Sequence, residues 1–112
     1  MGLFLAIAGV IAAGIVIAYV AVLTVKWLAN KVRGLLAKRN VKKVAAMDLE
    51  RLIDECPNQT CLQDLLDDGV DEIIAAVDEN GKIDSVECIK AGSIDDEFTR
   101  KLGSEGMIVI NG

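Results

Sequence analysis

The chain has 112 residues, 53% of them apolar and only 4% aromatic, with a net charge of −5 and no histidine. That length allows one small domain with an anchor. The missing imidazole removes the commonest metal ligand and general base, and the acidity disfavours contact with nucleic-acid phosphates, which takes basic residues.

The first element in chain order is apolar. Leu3 to Val25 is a run of 23 residues without a charge. As a helix it would reach about 34 Å at 1.5 Å per residue, against a hydrocarbon core of about 30 Å. This predicts a single transmembrane anchor helix over residues 1–28. A cleaved signal peptide has a basic start and a shorter apolar run. Here only Met1 and Gly2 precede the run, so a retained anchor is expected. Small residues recur at Gly2, Ala6, Gly9 and Ala13. That spacing lines one seam of a helix, where close backbone approach drives association in lipid. The seam is the expected helix–helix interface of a homo-oligomer.

Residues 29–43 form a basic juxtamembrane segment. Lys26, Lys31, Arg33, Lys38, Arg39, Lys42 and Lys43 give residues 1–43 a charge of +7, while residues 44–112 carry −12. Basic residues flanking a span are retained on the cytoplasmic side. The expected orientation is therefore single-pass, with the N-terminus outside and the C-terminal domain cytoplasmic. Trp27 stands where an interfacial anchor belongs. The basic cluster is expected to attract anionic lipid headgroups. Leu28, Val32, Leu35 and Leu36 form a short apolar stripe at helical spacing.

Residues 44–112 read as an acidic α+β domain. Helical periodicity covers 44–55, with Leu49, Leu52 and Ile53 on one face, and ends at Pro57. Thr60 to Gln63 has the form of a capping box, and Gly69 fits a helix C′ position. Asn80-Gly81, between strand-like runs in 72–91, predicts a tight type I′ hairpin. Ser93 to Asp96 opens a helix carrying Ile94, Phe98 and Leu102, closed by Gly103. Met107 to Ile110 is four apolar residues in a row, the pattern of a strand covered on both faces. The expected order is α-α-β-β-α-β, a three-stranded sheet backed by helices.

Few motifs carry chemistry. Residues 78–87 resemble an EF-hand loop in outline, but Ala76 falls at the first ligand position, and a hairpin explains Asn80-Gly81 more simply. Cys56 and Cys61 lack the spacing of zinc or dithiol sites, and with Cys88 they read as small buried hydrophobes. The acidic pairs Asp67-Asp68, Asp71-Glu72 and Asp95-Asp96 flank elements and read as caps and solvated groups. No phosphate-binding or nucleophile motif occurs. No catalytic residue, metal or cofactor is expected, and no enzymatic activity.

Two functions are expected from these features. The first is a membrane-anchored interaction or sensing module that assembles through the small-residue helix. It would present an acidic cytoplasmic domain to a protein partner with a basic surface. The alternative is a homo-oligomeric membrane effector or ion channel controlled by that domain.

Overall fold

The apolar run does not form one helix. In the computed structural model, which describes residues 2–112, it divides at Gly14. Helix α1 (Gly2–Ala13) stops there, and strand β1 (Val16–Leu23) follows. The backbone of Gly14 has φ +133°, a region that glycine occupies without steric cost. Composition changes at the same point. Alanine, leucine and glycine dominate before it. Valine, isoleucine and tyrosine dominate after it, and these fit a pleated surface better than a helix.

This corrects the transmembrane anchor expected over residues 1–28, of which Met1 lies outside the described residues. Among the described residues no helix is long and apolar enough to cross a membrane. The single-pass localisation falls with the span, since the basic residues have no crossing helix to orient. The channel alternative required the same helix.

Strand β1 leads directly into α2 (Val25–Leu36). Thr24 caps α2, its hydroxyl accepting from the Trp27 backbone N–H at 3.0 Å. The remaining elements are β2 (Val41–Asp48), α3 (Leu49–Glu55), α4 (Thr60–Asp67), β3 (Glu72–Asp78), β4 (Ile83–Ile94), α5 (Asp96–Leu102) and β5 (Met107–Asn111). The strands form one five-stranded sheet in the order β1-β4-β3-β2-β5. Only β1 and β4 run parallel; the other pairs are antiparallel. The expected three-stranded sheet in the order α-α-β-β-α-β is therefore wrong in strand number and in order. The expected anchor supplies one additional strand, and residues 41–48 supply the other.

Residues 44–48 were expected to be helical. Alanine favours a helix locally, but Val44 to Met47 are fully buried at the centre of the sheet. There Ala45 stands opposite Ala75 on β3 and opposite Val109 on β5. Small side chains let helices approach both faces, so tertiary packing overrides propensity.

Both faces of the sheet are covered. On one, α1, α3 and α4 pack Ile7, Ile11, Leu52 and Leu62 against Ile73 and Cys88. On the other, α2 and α5 pack Leu28, Val32 and Phe98 against Ile74 and Ile89. The apolar stripe of α2 thus faces protein: Leu28 and Val32 are buried, and Leu35 and Leu36 pack beside them.

Three local signals play out differently from their prediction. The 78–83 connection is not a type I′ turn, because Gly81 has positive φ and Asn80 does not. Instead the Gly81 N–H bonds to the Asp78 carbonyl, and the Asp78 carboxylate accepts from the backbone of Asn80 and Lys82. This is a wider loop closed by an Asx turn. The capping forms at Thr60 and Ser93 do not cap: α4 starts from Gln59 and α5 from Asp95, neither with a side-chain cap bond. Gly69 does act as C′, at φ +91°. Its N–H bonds to Leu66 and that of Val70 to Leu65, the paired bonds of a Schellman motif. Strand β5 is a sheet edge with Val109 exposed, not a doubly covered strand.

Candidate functional site

The most exposed apolar surface of the molecule is strand β1. Its sequence, VIAYVAVL, holds no charged residue and no proline. Among the described residues it pairs only with β4, so its outer edge carries no neighbouring strand. Val16 is 64% exposed, Ile17 44%, Tyr19 71% and Val22 50%, and Ile94 at the end of β4 is exposed beside them. The strand register fixes which way these residues point. Val16, Ala18 and Val20 stand beside Glu87, Ile89 and Ala91 on the α2 side, whereas Ile17, Tyr19 and Ala21 lie on the α1 side. Helix α1 packs over β4 and leaves the second set uncovered. The Tyr19 hydroxyl lies over Gly92, where an added Cβ would meet it at 2.6 Å.

Edge strands of natural sheets are normally shortened, charged or kinked against pairing. The opposite edge, β5, is only five residues long. At eight residues and without a charge, β1 has none of these protections.

Basic residues concentrate around α2, although the exposed acids Asp95, Asp96 and Glu97 at the start of α5 share that side. The α2 side carries Lys26, Arg33, Lys38 and Arg39 exposed; on β2, Lys42 is exposed and Lys43 half-buried. Lys31 pairs with Glu87 across to β4. Trp27 is half-buried against the α2-side core. Most of the residues expected at a membrane interface thus lie on or beside α2, whereas Lys43 alternates to the α1 side with Ala45 and Met47. The α1 side of the molecule carries Glu50, Asp54, Glu55, Asp64, Asp67 and Asp68, all exposed, on α3, α4 and the turn after α4. The small residues Gly2, Gly9 and Ala13 are exposed on the outward side of α1, with Ala6 half-buried. Open space surrounds Gly2 and Gly9 among the described residues, so no described element packs against those two positions of the seam.

Between α2 and β5 lies a groove of about 510 Å³. Leu28, Ala29, Val32 and Leu36 form one wall, and Ile108 and Ile110 come from β5. Among the described residues, Arg33 and Lys101 are the only charged ones lining it.

One polar residue is deeply buried. Glu72 opens β3 opposite Asp48 on β2 and is 1% exposed. Burial raises its carboxyl to about 10, with the hydrogen bond and charge of Asp48 and the charge of Asp71 adding to the effect. It is therefore protonated at neutral pH and donates to Asp48, while its Oε1 has no partner. Sequence reading assigned the Asp71-Glu72 pair to solvated caps. The overlooked signal is position: Glu72 is the first residue of an otherwise apolar run, IIAAV, buried on both sides.

The remaining candidates do not converge. Asp78 is held by its own loop, Asp84 accepts from Asn40, and Glu87 pairs with Lys31. Their oxygens are thus engaged separately. Among the described residues no group of three or more acids or thiols forms a metal centre. Cys56 and Cys88 are free and buried. Burial, with Glu87 second, pushes the Cys88 thiol up to about 11, and burial with Glu55 raises Cys56. Both stay protonated and unreactive. No family model, curated protein or solved structure matches the chain.

Proposed function

We propose that the chain is a self-assembling interaction module that dimerises by pairing β1 with β1 of a second copy. The observation that carries this reading is the long, uncharged, uncovered edge of β1. A second copy supplies the same apolar strand, and a two-fold axis makes the contact self-complementary.

Geometry restricts the register. Directly opposed residues in an antiparallel pair point to the same face, and the side-chain period is two. A two-fold axis normal to the sheet must therefore pass through a residue. An axis at Tyr19 sets Val16 opposite Val22, Ile17 opposite Ala21 and Ala18 opposite Val20. The two Tyr19 rings then meet across the axis on the side that α1 leaves open. The acidic α3–α4 surfaces stay outside this contact, available to a partner with a basic surface.

Native mass spectrometry and sedimentation of the full chain test the reading. A dimer is expected for the natural sequence. Tyr19→Lys places a charge at the axis on a side chain that is already exposed, and should give a monomer with an unchanged circular dichroism spectrum. A natural chain that remains monomeric at high micromolar concentration overturns the proposal. So does a dimer that tolerates both Tyr19→Lys and Ile17→Lys.

A further inference from the structure

We propose that the groove between α2 and β5 binds a single-chain anionic amphiphile, a fatty-acid carboxylate. The site lies at the opposite edge of the sheet from β1, so the inference is independent of the dimer. Size is the first support. The open groove has a volume of about 510 Å³, within the range of about 300–1,000 Å³ typical of small-molecule sites. Chemistry is the second. Its long wall is the row Leu28, Val32 and Leu36 along α2, facing Ile108 and Ile110. An elongated apolar body fits that lining, and a polar ligand would leave its groups unpaired there.

Charge identifies the head of the ligand. The two charged residues at the groove are both cations, Arg33 from the last turn of α2 and Lys101 from the last turn of α5. Among the described residues neither makes an ion pair; Arg33 bonds only to the Asn30 side chain, at 3.3 Å. Among the described residues no carboxylate side chain lines the groove. A guanidinium presents a planar fork that matches a carboxylate with two parallel bonds, and an ammonium adds a second positive contact. The chain as a whole is at −5. Non-specific electrostatics therefore favour a cationic amphiphile, so a preference for the anion reports this groove and not the bulk charge.

Calorimetric titration of the full chain with laurate, dodecylammonium and dodecanol, each below its aggregation concentration, tests this. Laurate should bind at least about tenfold more tightly than either of the others, since one or two charge-assisted hydrogen bonds distinguish them. The double variant Arg33→Gln with Lys101→Gln should lose that preference. Both side chains are exposed, so circular dichroism should show the fold intact. Ala29→Trp fills the groove from an exposed position and should abolish binding of all three probes. No heat with laurate overturns the proposal, as does a laurate affinity that equals that of dodecylammonium. Laurate binding that survives Ala29→Trp lies elsewhere and overturns it as well.

Discussion

Strands β1 and β3 are close in composition and opposite in environment. VIAYVAVL and the IIAAV stretch of β3 are both apolar runs without a charge. In β3 every residue from Glu72 to Val77 is buried, between β2 and β4 and under helices on both faces. In β1 the burial pattern is mostly exposed, with only Leu23 fully covered. Buried central strands read as continuous apolar runs because both faces are packed. An edge strand with that composition lacks a neighbour, and this difference is the reason to assign β1 a partner.

Truncation should show the largest contrast. Ile73→Ala removes a fully buried side chain from the middle of β3 and should cost about 2–5 kcal/mol in urea unfolding. Ile17→Ala on β1, where the side chain is half exposed, should cost below about 1 kcal/mol at concentrations where the chain is monomeric. Equal losses at the two sites would mean that β1 is covered within the monomer, and the comparison would collapse.

A second effect concerns the polar end of β3. The unfolded Glu72 releases its proton near the ordinary value of 4.5, but the folded one holds it to about 10. The stability this proton gives is complete below pH 4.5 and is lost as pH rises through the window from 4.5 to about 10. The slope is about 1.4 kcal/mol per pH unit for one group. Glu72→Gln keeps a donor toward Asp48 and cannot ionise. It should stabilise the fold by about 3 kcal/mol at pH 7 and flatten its pH dependence between pH 5 and 9. A parallel pH profile in the variant would show that Glu72 is ionised in the fold.

Much of this was written in the sequence, but hydrophobicity alone misreads it. Leu3 to Val25 satisfies every length and polarity criterion for a span, since none of them asks whether the residues prefer a helix throughout. The shift from alanine and leucine to β-branched residues at Gly14 marks the break, and the sheet then decides it. Val44 to Met47 is ambiguous for a related reason. Its alanines are helix formers, and only the facing Ala75 and the helices on both faces make small residues necessary in a strand. Local chemistry was legible where glycine ends a helix, as at Gly69 and Gly103, whereas at Asn80-Gly81 the turn position was legible and its type was not. The carboxyl pair Asp48–Glu72 joins residues 24 positions apart, a proximity that no local pattern encodes.

Two glycines sharpen the comparison further. Gly92 lies beside β1, and a Cβ there would stand 2.7 Å from the Ala21 carbonyl oxygen as well as against Tyr19. The tyrosine is free to swing, but the carbonyl is backbone. Gly92→Ala must push β1 away from β4 and should cost about 1–3 kcal/mol. Gly9 in α1 has open space around it. Gly9→Ala should therefore stabilise the chain by about 0.5–1 kcal/mol through helix propensity alone. A destabilised Gly9→Ala variant would reveal a neighbour on that face of α1, such as another copy packed on the small-residue seam.

A last effect of similar size lies at the junction where β1 becomes α2. No charge or proline marks the change from strand to helix there; Thr24 does. Its extended backbone (φ −124°, ψ 162°) continues the strand, and its hydroxyl satisfies the Trp27 N–H that opens the helix. Thr24→Ala should cost about 1 kcal/mol, and Thr24→Ser should restore most of it, because serine accepts the same bond. Leu23, adjacent to the cap, is fully buried against Leu28 and Phe98, so fraying of the first turn of α2 should also loosen the end of β1. Hydrogen exchange should then be faster at Trp27 and Leu28 in Thr24→Ala, with the amides of β3 unchanged. A cap without influence would instead make the strand-to-helix change a consequence of packing alone, with Leu23 and Leu28 holding the two elements apart in direction.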